Sequence, residues 1–412
     1  MIQNFINKHF YHLFVFTYLI GLVFYGTIGF DSIDEICAMI LLLMFIFVTF
    51  KTSGWYVNKT FITVICIFLF YLIYSIQIGS NSKPAIISDF IIQFKPYLAF
   101  FCVFYICPKF SESQKNLLKD IIYVIWGIMI IIGSISIFKP NIFVHTVGHV
   151  AYFAAIITST ALVFLFCSKN TQKEKFIFLL ILATGLLSAR SKFYGFFVIA
   201  AASTLFTRFI CDNIKFSFKT ISLATVCIAI MLALSWQKMV MYFGIGGSID
   251  NISKDFIARA MLYKTSIDVF TDYFPFGSGF ASFASYPSGV YYSDIYAQYN
   301  IDWVAGINKH NYSYIADTYY PCLAQFGVVG VFLFALFFLY IFKKALSLYK
   351  QSQQDKHFII PFLIIGYFLI ESIADATFTS HRGFFIMMLL GLTLSESKHY
   401  IQTTHIKQYN HD

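Results

Sequence analysis

The sequence predicts an all-α fold, a polytopic membrane bundle of about twelve helices. Of its 412 residues, 58% are hydrophobic and 12% are charged, which leaves more apolar surface than a soluble domain can bury. The apolar residues lie in stretches long enough to cross ~30 Å of hydrocarbon. None of these stretches alternates with the period of two that outer-membrane strands require. Because unpaired peptide groups are not tolerated in lipid, the spans must be helices.

The spans follow one another along the chain with short polar connections. The first lacks a small-residue cleavage site and is expected to remain as the first helix. The expected spans are 11–30, 36–50, 60–78, 88–107, 120–138, 147–167, 176–190, 192–210, 218–236, 321–342, 358–377 and 382–397. They divide the chain into a membrane bundle at 1–236 with about nine helices, a large loop at 237–320, a membrane segment at 321–397 with about three helices, and a tail at 398–412.

Lysine and arginine predict the orientation of the bundle. Most of the 29 basic residues fall in alternate connections and near the two termini, as at Lys51, Lys109, Lys169 and Lys350. Basic loops stay in the cytoplasm, so both termini are expected there and the large loop is expected in the periplasm of a bacterial inner membrane. This distribution accounts for the net charge of +9 without a nucleic-acid partner.

Several kinds of chemistry have no motif in this sequence. There is no Walker loop, dinucleotide glycine fingerprint, metal-spaced His/Cys cluster or Asp-x-Asp pair for a metal-bound nucleotide sugar. No two of the eight cysteines form a Cys-x-x-Cys, and they are expected to pack as small apolar residues. Neither a metal nor a cofactor is therefore expected.

Four cations lie where membrane topology does not require them, and a charge near the membrane interior costs several kcal/mol unless it is paired, hydrated or functional. Lys95 falls inside the fourth span, where Pro96 is expected to break the helix and let Lys95 face a cavity; the alternative is that Lys95 snorkels to the interface. Arg190, Arg259 and Arg382 fall in segments expected at the outer surface. They are expected either to bind a ligand or to anchor the spans at the interface.

If these cations converge, the ligand that they fit is a phosphate or diphosphate beside a lipid tail. Arginine pairs with phosphate oxygens through a bidentate fork, and lysine adds a compact charge. Because no ATP or nucleotide sugar is supplied outside the cytoplasmic membrane, an external transferase must use a donor that is already activated on its carrier. A polyprenyl diphosphate sugar is such a donor.

Three stretches resemble one protein family. The run Asp268–Phe280 followed by Phe283, with Arg259 upstream, resembles the "R…D-x-P-x-x-G-x-G-x-x-x-F" stretch in the outer loop of bacterial O-antigen polymerases and related O-antigen ligases. The segment Ala316–Gly330 resembles the family segment in which a polar pair precedes G-x-x-G, and Leu187–Ser191 resembles its S-x-R-S outer turn. With the expected spans and one large loop, the similarity covers most of the chain.

The resemblance implies a GT-C-like bundle that joins two lipid-linked saccharides without a metal. A hydroxyl of one undecaprenyl-diphosphate-linked repeat unit attacks the anomeric carbon of another, and undecaprenyl diphosphate leaves. A chain-length regulator and a flippase are the further partners that it implies. The first choices for binding the diphosphate are Arg190 and Arg259, followed by Lys95 and Arg382.

Other residues of the loop receive roles in this mechanism. Asp317 or His310 is the expected base, although Asp317 could instead cap the following helix. Gly277 and Gly279 are expected to permit a tight loop or a close backbone approach to the ligand. Tyrosines of the loop, among them Tyr320, offer a sugar both an apolar face and a hydroxyl, or else they form an interfacial aromatic belt.

Two structural features are expected with this function. The carrier would enter from the bilayer through an open groove between spans, under a mobile cover. Short amphipathic helices are expected in the loop, such as one at 252–270, where Ile252, Phe256, Ala260 and Tyr263 recur at helical spacing.

Three other functions remain open from the sequence. An O-antigen ligase is expected to carry a His-Asn pair in the register that here holds Ala316 and Asp317, whereas His310 and Asn311 lie farther upstream, so the polymerase is favoured. A lipid-linked saccharide flippase or other transporter would usually show internal repeats, and none is convincing here. A noncatalytic assembly partner would tolerate alanine at Arg190, Arg259 and Asp317.

Overall fold

The computed structural model describes residues 2–30, 32–51, 59–139, 141–212 and 254–409. Within these ranges the chain is helical and contains no β-strand. The longer helices are α1 (Ile2–Tyr18), α2 (Ile33–Lys51), α3 (Lys59–Ile78), α4 (Lys83–Ile106), α5 (Glu112–Phe138), α6 (Val150–Cys167), α7 (Gln172–Ala183), α8 (Ser191–Leu205), α9 (Lys254–Asp272), α10 (Gly327–Ser352), α11 (Lys356–Glu371) and α12 (His381–Tyr409). Short helical segments lie at Leu19–Val23, Tyr25–Ile28, Ile142–Thr146, Thr184–Ser188, Thr207–Asp212, Tyr286–Val290, Ile295–Gln298, Tyr319–Cys322, Leu323–Phe326 and Thr377–Thr379.

Six helices of the described part are long and apolar enough to cross a membrane. They are α2, α3, α4, α5, α6 and the continuous stretch Tyr319–Ser352 that contains α10. The prediction of a helical, multi-pass membrane protein is therefore confirmed. The expected spans 176–190 and 192–210 correspond to the shorter α7 and α8, and the expected span 218–236 lies outside the described residues.

Local sequence explains where two of these helices begin. At α5 the Ser111 hydroxyl accepts a hydrogen bond from the Gln114 N–H at 3.2 Å, while the Gln114 side chain accepts one from the Ser111 N–H at 2.8 Å. Thr171 and Glu174 form the same reciprocal cap at the start of α7. These bonds satisfy N–H groups that the first turn of a helix leaves without partners.

The core of the bundle consists of α4, α6 and α12. Nearly every side chain of α6 is buried, and α12 is buried on all sides from Phe384 to Leu394. Gly391 lets α12 approach α4 closely, since a Cβ there would lie 2.7 Å from the Phe100 carbonyl oxygen. In contrast, α3 exposes large apolar side chains such as Ile73, as expected of a helix that faces lipid.

The connections of the bundle gather at two ends. The loop end comprises the segments 79–82, 141–149, 189–190, 273–318 and 372–380, and the basic end comprises the segments 107–111, 168–171, 353–355 and 396–400. Hydrogen bonds join the segments of each end, as between the Ser80 hydroxyl and the Phe280 carbonyl at the loop end. At the basic end the Gln3 side chain donates to the Cys107 carbonyl, which places the start of α1 at the same end as Ser395 and Glu396 of α12.

One local expectation was wrong, and another was met at the level of the helix itself. Helix α4 continues through Pro96, so proline does not break it; spanning helices tolerate proline when neighbouring groups accommodate the lost hydrogen bond. A helix occupies the expected place in the loop, at Lys254–Asp272; Ile252 and the side chain of Phe256 lie outside the described residues. The buried apolar residues of this helix are Ala258, Leu262 and Val269, while Ala260 and Tyr263 are half-buried, and α9 packs on the segment 319–326.

Candidate functional site: charged residues at the loop end

Arg190 lies between the short turn Thr184–Ser188 and α8, where it contacts the end of α11. Its guanidinium forms a fork to Glu371, with nitrogen–oxygen distances of 3.3 and 3.1 Å, and one nitrogen lies 3.7 Å from Asp375. The Lys192 ammonium donates to the same Glu371 carboxylate at 2.8 Å and to the Ala374 carbonyl at 3.0 Å. Glu371 is only 3% exposed, so its charge depends on these two cations.

Arg382 makes a second fork at the start of α12. Its terminal nitrogens lie 3.1 and 2.9 Å from the two oxygens of Asp375, and its guanidinium lies 4.9 Å from the centre of the Tyr152 ring. Burial acts to raise the pKa of Asp375, but the charges of Arg382, Lys192 and Arg190 together hold that pKa below its ordinary value. Asp375 is therefore ionised at neutral pH.

Arg259, on α9, pairs with Asp317. The Arg259 Nε donates to Asp317 at 2.6 Å, and a terminal nitrogen of Arg259 forms an ion pair with the same oxygen. Burial raises the pKa of Asp317, although the charge of Arg259 acts in the opposite direction. Asp375 and Lys192 also influence this pKa, so the Arg259–Asp317 pair lies within electrostatic range of both.

His149, at the start of α6, lies within electrostatic range of these pairs. Burial lowers its pKa, and the charges of Arg190, Arg382 and Arg259 lower it further. A neutral imidazole at pH 7 is the consequence, and its Nδ1 accepts a hydrogen bond from the Ala151 N–H at 3.1 Å. The charge of Asp375 acts in the opposite direction, so groups from both sides of the ion pairs influence this imidazole.

These pairs form a single group of charges, which we call the loop-end cluster. Its members are Arg190, Lys192, Arg259, Asp317, Glu371, Asp375 and Arg382. The cations outnumber the carboxylates by one, and all of the side chains are at least partly buried. The structure thus brings together Arg190, Arg259, Arg382 and Asp317, and each of these arginines has a carboxylate partner.

The remaining predicted site residues lie elsewhere. Lys95 is buried and forms ion pairs with Asp34 and with Glu35, the latter at 2.5 Å. His310 is exposed, and its backbone N–H donates to Asn308. The Tyr320 hydroxyl donates to the Leu369 carbonyl at 2.6 Å, near the end of α11.

Asp317 does not cap the next helix. The N-cap of the segment Tyr319–Cys322 is Thr318, whose side chain makes no capping hydrogen bond. The Asp317 carboxylate faces Arg259 instead. The capping alternative was therefore wrong, because the Asp317 carboxylate oxygen that the structure engages is held by the Arg259 guanidinium.

Gly277 and Gly279 hold the loop against the bundle. Both have positive φ, at +80° and +85°, a region that favours glycine. A Cβ at Gly277 would lie 2.3 Å from the Gly327 nitrogen, and one at Gly279 would lie 2.8 Å from the Ser80 Cβ. At both glycines the loop closely approaches another segment of the protein, the start of α10 at Gly277 and the turn before α4 at Gly279.

An apolar groove of about 280 Å³ runs between α3, α4 and α10. Thr60 and Thr63 lie at one end of its lining and Phe280 and Tyr319 at the other, while Leu336 on its wall is 42% exposed on the outer surface of the bundle. The groove thus opens on a face of the spanning helices and extends to the loop end.

The polar end of this groove is connected to the loop-end cluster. The Tyr319 hydroxyl donates to Gln93 at 3.2 Å, and the Tyr319 backbone N–H donates to the Ser372 carbonyl at 3.2 Å. Asp317 is two residues from Tyr319, so their Cα atoms are at most roughly 7 Å apart. One short segment therefore supplies a residue to the cluster and a residue to the groove.

Sequence reasoning missed the carboxylates Glu371 and Asp375, and the polar pair of Asp89 and Gln93 beside the groove. The signal was present, since Glu371 falls inside the expected span 358–377 and a buried acid is as costly there as a buried base. Asp89 is fully buried in α4, where it accepts a hydrogen bond from the Ala281 N–H at 2.6 Å.

No protein-family model matches the chain, and no curated protein is significantly similar to it.

Proposed function

We propose that this protein is a polysaccharide polymerase, a metal-independent glycosyltransferase that joins undecaprenyl-diphosphate-linked repeat units at the periplasmic face of a bacterial inner membrane. The observation that carries the proposal is the convergence of Arg190, Arg259 and Arg382 near Asp317, beside a groove that opens on the lipid-facing surface. A diphosphate with a long apolar tail matches both parts of this arrangement.

The cations are assigned to the departing diphosphate. When the bond between the anomeric carbon and the diphosphate oxygen breaks, its electron pair remains on undecaprenyl diphosphate, and arginine forks stabilise that negative charge. Arg190 and Arg259 bind the diphosphate, and Arg382 orients Asp375 between them. Because each arginine is paired with a carboxylate, substrate binding must exchange carboxylate contacts for phosphate contacts.

Asp317 is assigned as the base. The acceptor hydroxyl oxygen bonds to the anomeric carbon and its proton passes to Asp317, whose burial raises its pKa toward a range useful for proton transfer. Asp317 is favoured over His310 because it belongs to the cluster, whereas His310 lies exposed in the loop.

Reconstitution in proteoliposomes tests the proposal. Undecaprenyl-diphosphate-linked repeat units are supplied, and the chain length of the lipid-linked product and the release of undecaprenyl diphosphate are measured together. A ladder of products with one carrier released per bond is expected. The Asp317→Asn variant should lose about 100-fold or more in rate, as expected of a missing base, while the matched exposed variant Asp302→Asn should not.

Other outcomes distinguish the alternatives. Transfer of a preformed polymer to a lipid A core, with no ladder, would identify a ligase. Movement of lipid-linked units across the bilayer without a change in chain length would identify a flippase. Full activity of Asp317→Asn together with loss of activity in His310→Ala would move the base to His310.

A further inference from the structure

Several buried polar groups around the loop-end cluster make no hydrogen bond with any residue that the structure describes. Each belongs to a cluster residue or to a residue within four positions of one along the chain. Unpaired buried polar groups are rare in folded proteins, and each calls for an explanation. They are the Arg382 Nε and polar atoms of Ser188, Thr318, Tyr367, Ser372 and His381. For Tyr367 the surrounding helices point to a role.

Tyr367 lies one helical turn before Glu371 on the same face of α11. On α8, Lys192 and Phe196 are likewise four residues apart. The Lys192 ammonium pairs with Glu371 at 2.8 Å. The centroid of the Phe196 ring lies 5.4 Å from that of the Tyr367 ring. The two helices therefore meet in two layers, with the ion pair in one layer and the aromatic pair one turn deeper in the bundle.

Packing alone does not account for a tyrosine at position 367. Its side chain is 1% exposed, and no residue in the described part of the chain bonds to its hydroxyl. A buried tyrosine usually finds a partner for its hydroxyl. Phenylalanine would fill the same space against Phe196 without burying an unpaired polar group. The hydroxyl of Tyr367 is therefore the part of this side chain that needs an explanation.

Glu371 is the neighbour whose partners must change when a diphosphate binds. Its carboxylate now accepts a fork from Arg190 at 3.3 and 3.1 Å and an N–H of Lys192 at 2.8 Å. In the proposed function Arg190 moves to the diphosphate, and the carboxylate, which is 3% exposed, keeps Lys192 alone. A buried carboxylate is costly unless its oxygens are hydrogen-bonded, so a replacement donor would favour substrate binding.

The Tyr367 hydroxyl is suited to be this donor. Residues four apart on a helix have Cβ atoms about 5–6 Å from each other, so a change of the Glu371 rotamer can bring its carboxylate to Tyr367. A hydroxyl that donates to a carboxylate forms a short, strong hydrogen bond. Because the hydroxyl bonds no described residue in this structure, it can take up Glu371 without breaking another contact within the described chain.

We infer that Tyr367 is a positioning residue whose hydroxyl binds the Glu371 carboxylate once Arg190 has moved to the diphosphate. Tyr367 acts on the substrate through Glu371 and Arg190 and does not touch it. By stabilising the displaced carboxylate, it lowers the cost of freeing Arg190 for the ligand. The inference rests on the proposed function, because it requires a diphosphate that takes Arg190 from Glu371.

A double-mutant cycle on ligand binding tests the inference. The dissociation constant for undecaprenyl diphosphate is measured by isothermal titration calorimetry in detergent for the wild type, Tyr367→Phe, Glu371→Gln and the double variant. Tyr367→Phe should bind about 10-fold more weakly than the wild type, as expected for the loss of one hydrogen bond to a charged group. In the Glu371→Gln background the same change should weaken binding by less than about 3-fold, because no carboxylate remains to be stabilised.

Tyr292→Phe is the matched control. The Tyr292 hydroxyl is also buried without a partner among the described residues, but the charge that acts on it is that of Asp302, outside the cluster. This substitution should leave the dissociation constant unchanged. Thermal unfolding without ligand separates a role in binding from a role in the fold. Neither Tyr367→Phe nor Tyr292→Phe should lower the unfolding midpoint, because each removes a hydroxyl that bonds no described residue.

The possible failures are distinguishable. Wild-type binding with unchanged affinity in Tyr367→Phe would refute the inference and leave the proposed function in place. An equal loss in the Glu371→Gln background, or in Tyr292→Phe, would also overturn it, because the effect would not pass through the Glu371 carboxylate. A lower unfolding midpoint for Tyr367→Phe alone would make its hydroxyl part of the ligand-free fold and contradict the inference. No binding by the wild type would refute the diphosphate site of the proposed function, and the inference would fall with it.

Discussion

Removal of the Asp375 carboxylate should destabilise the loop end more than any single change to an exposed acid. Asp375 is 12% exposed and Arg382 is 8% exposed, and two hydrogen bonds of 3.1 and 2.9 Å join them. The Asp375→Ala substitution leaves the buried Arg382 guanidinium without this fork and removes a charge 3.7 Å from Arg190. Loss of one partner of a buried ion pair costs about 3–5 kcal/mol.

A double-mutant cycle separates the ion pair from other effects of the substitution. In Asp375→Ala/Arg382→Met no buried charge is left unpaired, so the double variant should be more stable than Asp375→Ala alone, with a coupling energy of about 2–3 kcal/mol. Asp302→Ala, which removes an exposed carboxylate of the loop, should change the free energy of unfolding by no more than about 0.5 kcal/mol.

Reversible denaturant unfolding in lipid–detergent micelles, followed by circular dichroism, provides the free energies. The pH dependence offers a second check on the same pair. Since the pKa of Asp375 is held below its ordinary value, its stabilising contribution should be complete above about pH 4 and decline as the pH falls further. If Asp375→Ala were no more destabilising than Asp302→Ala, or if the two single changes were additive, the electrostatic account of the cluster would be refuted.

Three further predictions concern binding, catalysis and packing. Glu371→Gln removes the carboxylate that competes with the diphosphate for Arg190 and Lys192. The dissociation constant for undecaprenyl diphosphate should therefore fall on the order of 10-fold. Weaker binding by this variant would mean that Glu371 orients these cations productively. Asp317 must be ionised to accept a proton, and burial raises its pKa. The polymerisation rate should therefore fall with decreasing pH, with a midpoint above about 4, the ordinary pKa of an aspartate carboxyl. The Asp317→Glu variant should retain this pH profile, and Asp317→Asn should not. Gly277→Ala should lower the unfolding free energy by more than about 2 kcal/mol, because φ is +80° and the new Cβ would lie 2.3 Å from a backbone atom. Gly127→Ala, where the new Cβ would have no atom within 4 Å, should change the unfolding free energy by less than about 1 kcal/mol. Equal effects of the two substitutions would contradict the packing argument.

The positions of unusual cations were the most informative feature for the site. Membrane topology does not require a cation at Arg190, Arg259 or Arg382, and all three lie at the loop end. The same is true of Lys95, yet its partners are the acids Asp34 and Glu35 of α2. The criterion identifies charges that need a partner, but it does not identify the partner.

The buried face of α9 and the continuity of α4 were harder to predict from the sequence. The apolar positions of α9 allowed more than one face to be buried, and only its packing on the segment 319–326 selects Ala258 and Leu262. Pro96 was expected to end a helix on local grounds, but α4 continues through it, which spanning helices tolerate when other groups satisfy the freed carbonyl. Local preferences of a few kcal/mol are overridden where many packed side chains act together.

The helical membrane class and the grouping of basic segments at one end follow from composition and order along the chain, because transfer of apolar and charged groups between water and lipid depends on residue type alone. The pairing of Arg190 with Glu371 and of Arg259 with Asp317, and the groove that approaches them, required the folded chain. Each of these features joins segments separated by tens of residues or more, and such contacts depend on how whole helices pack, which no local pattern in the sequence encodes.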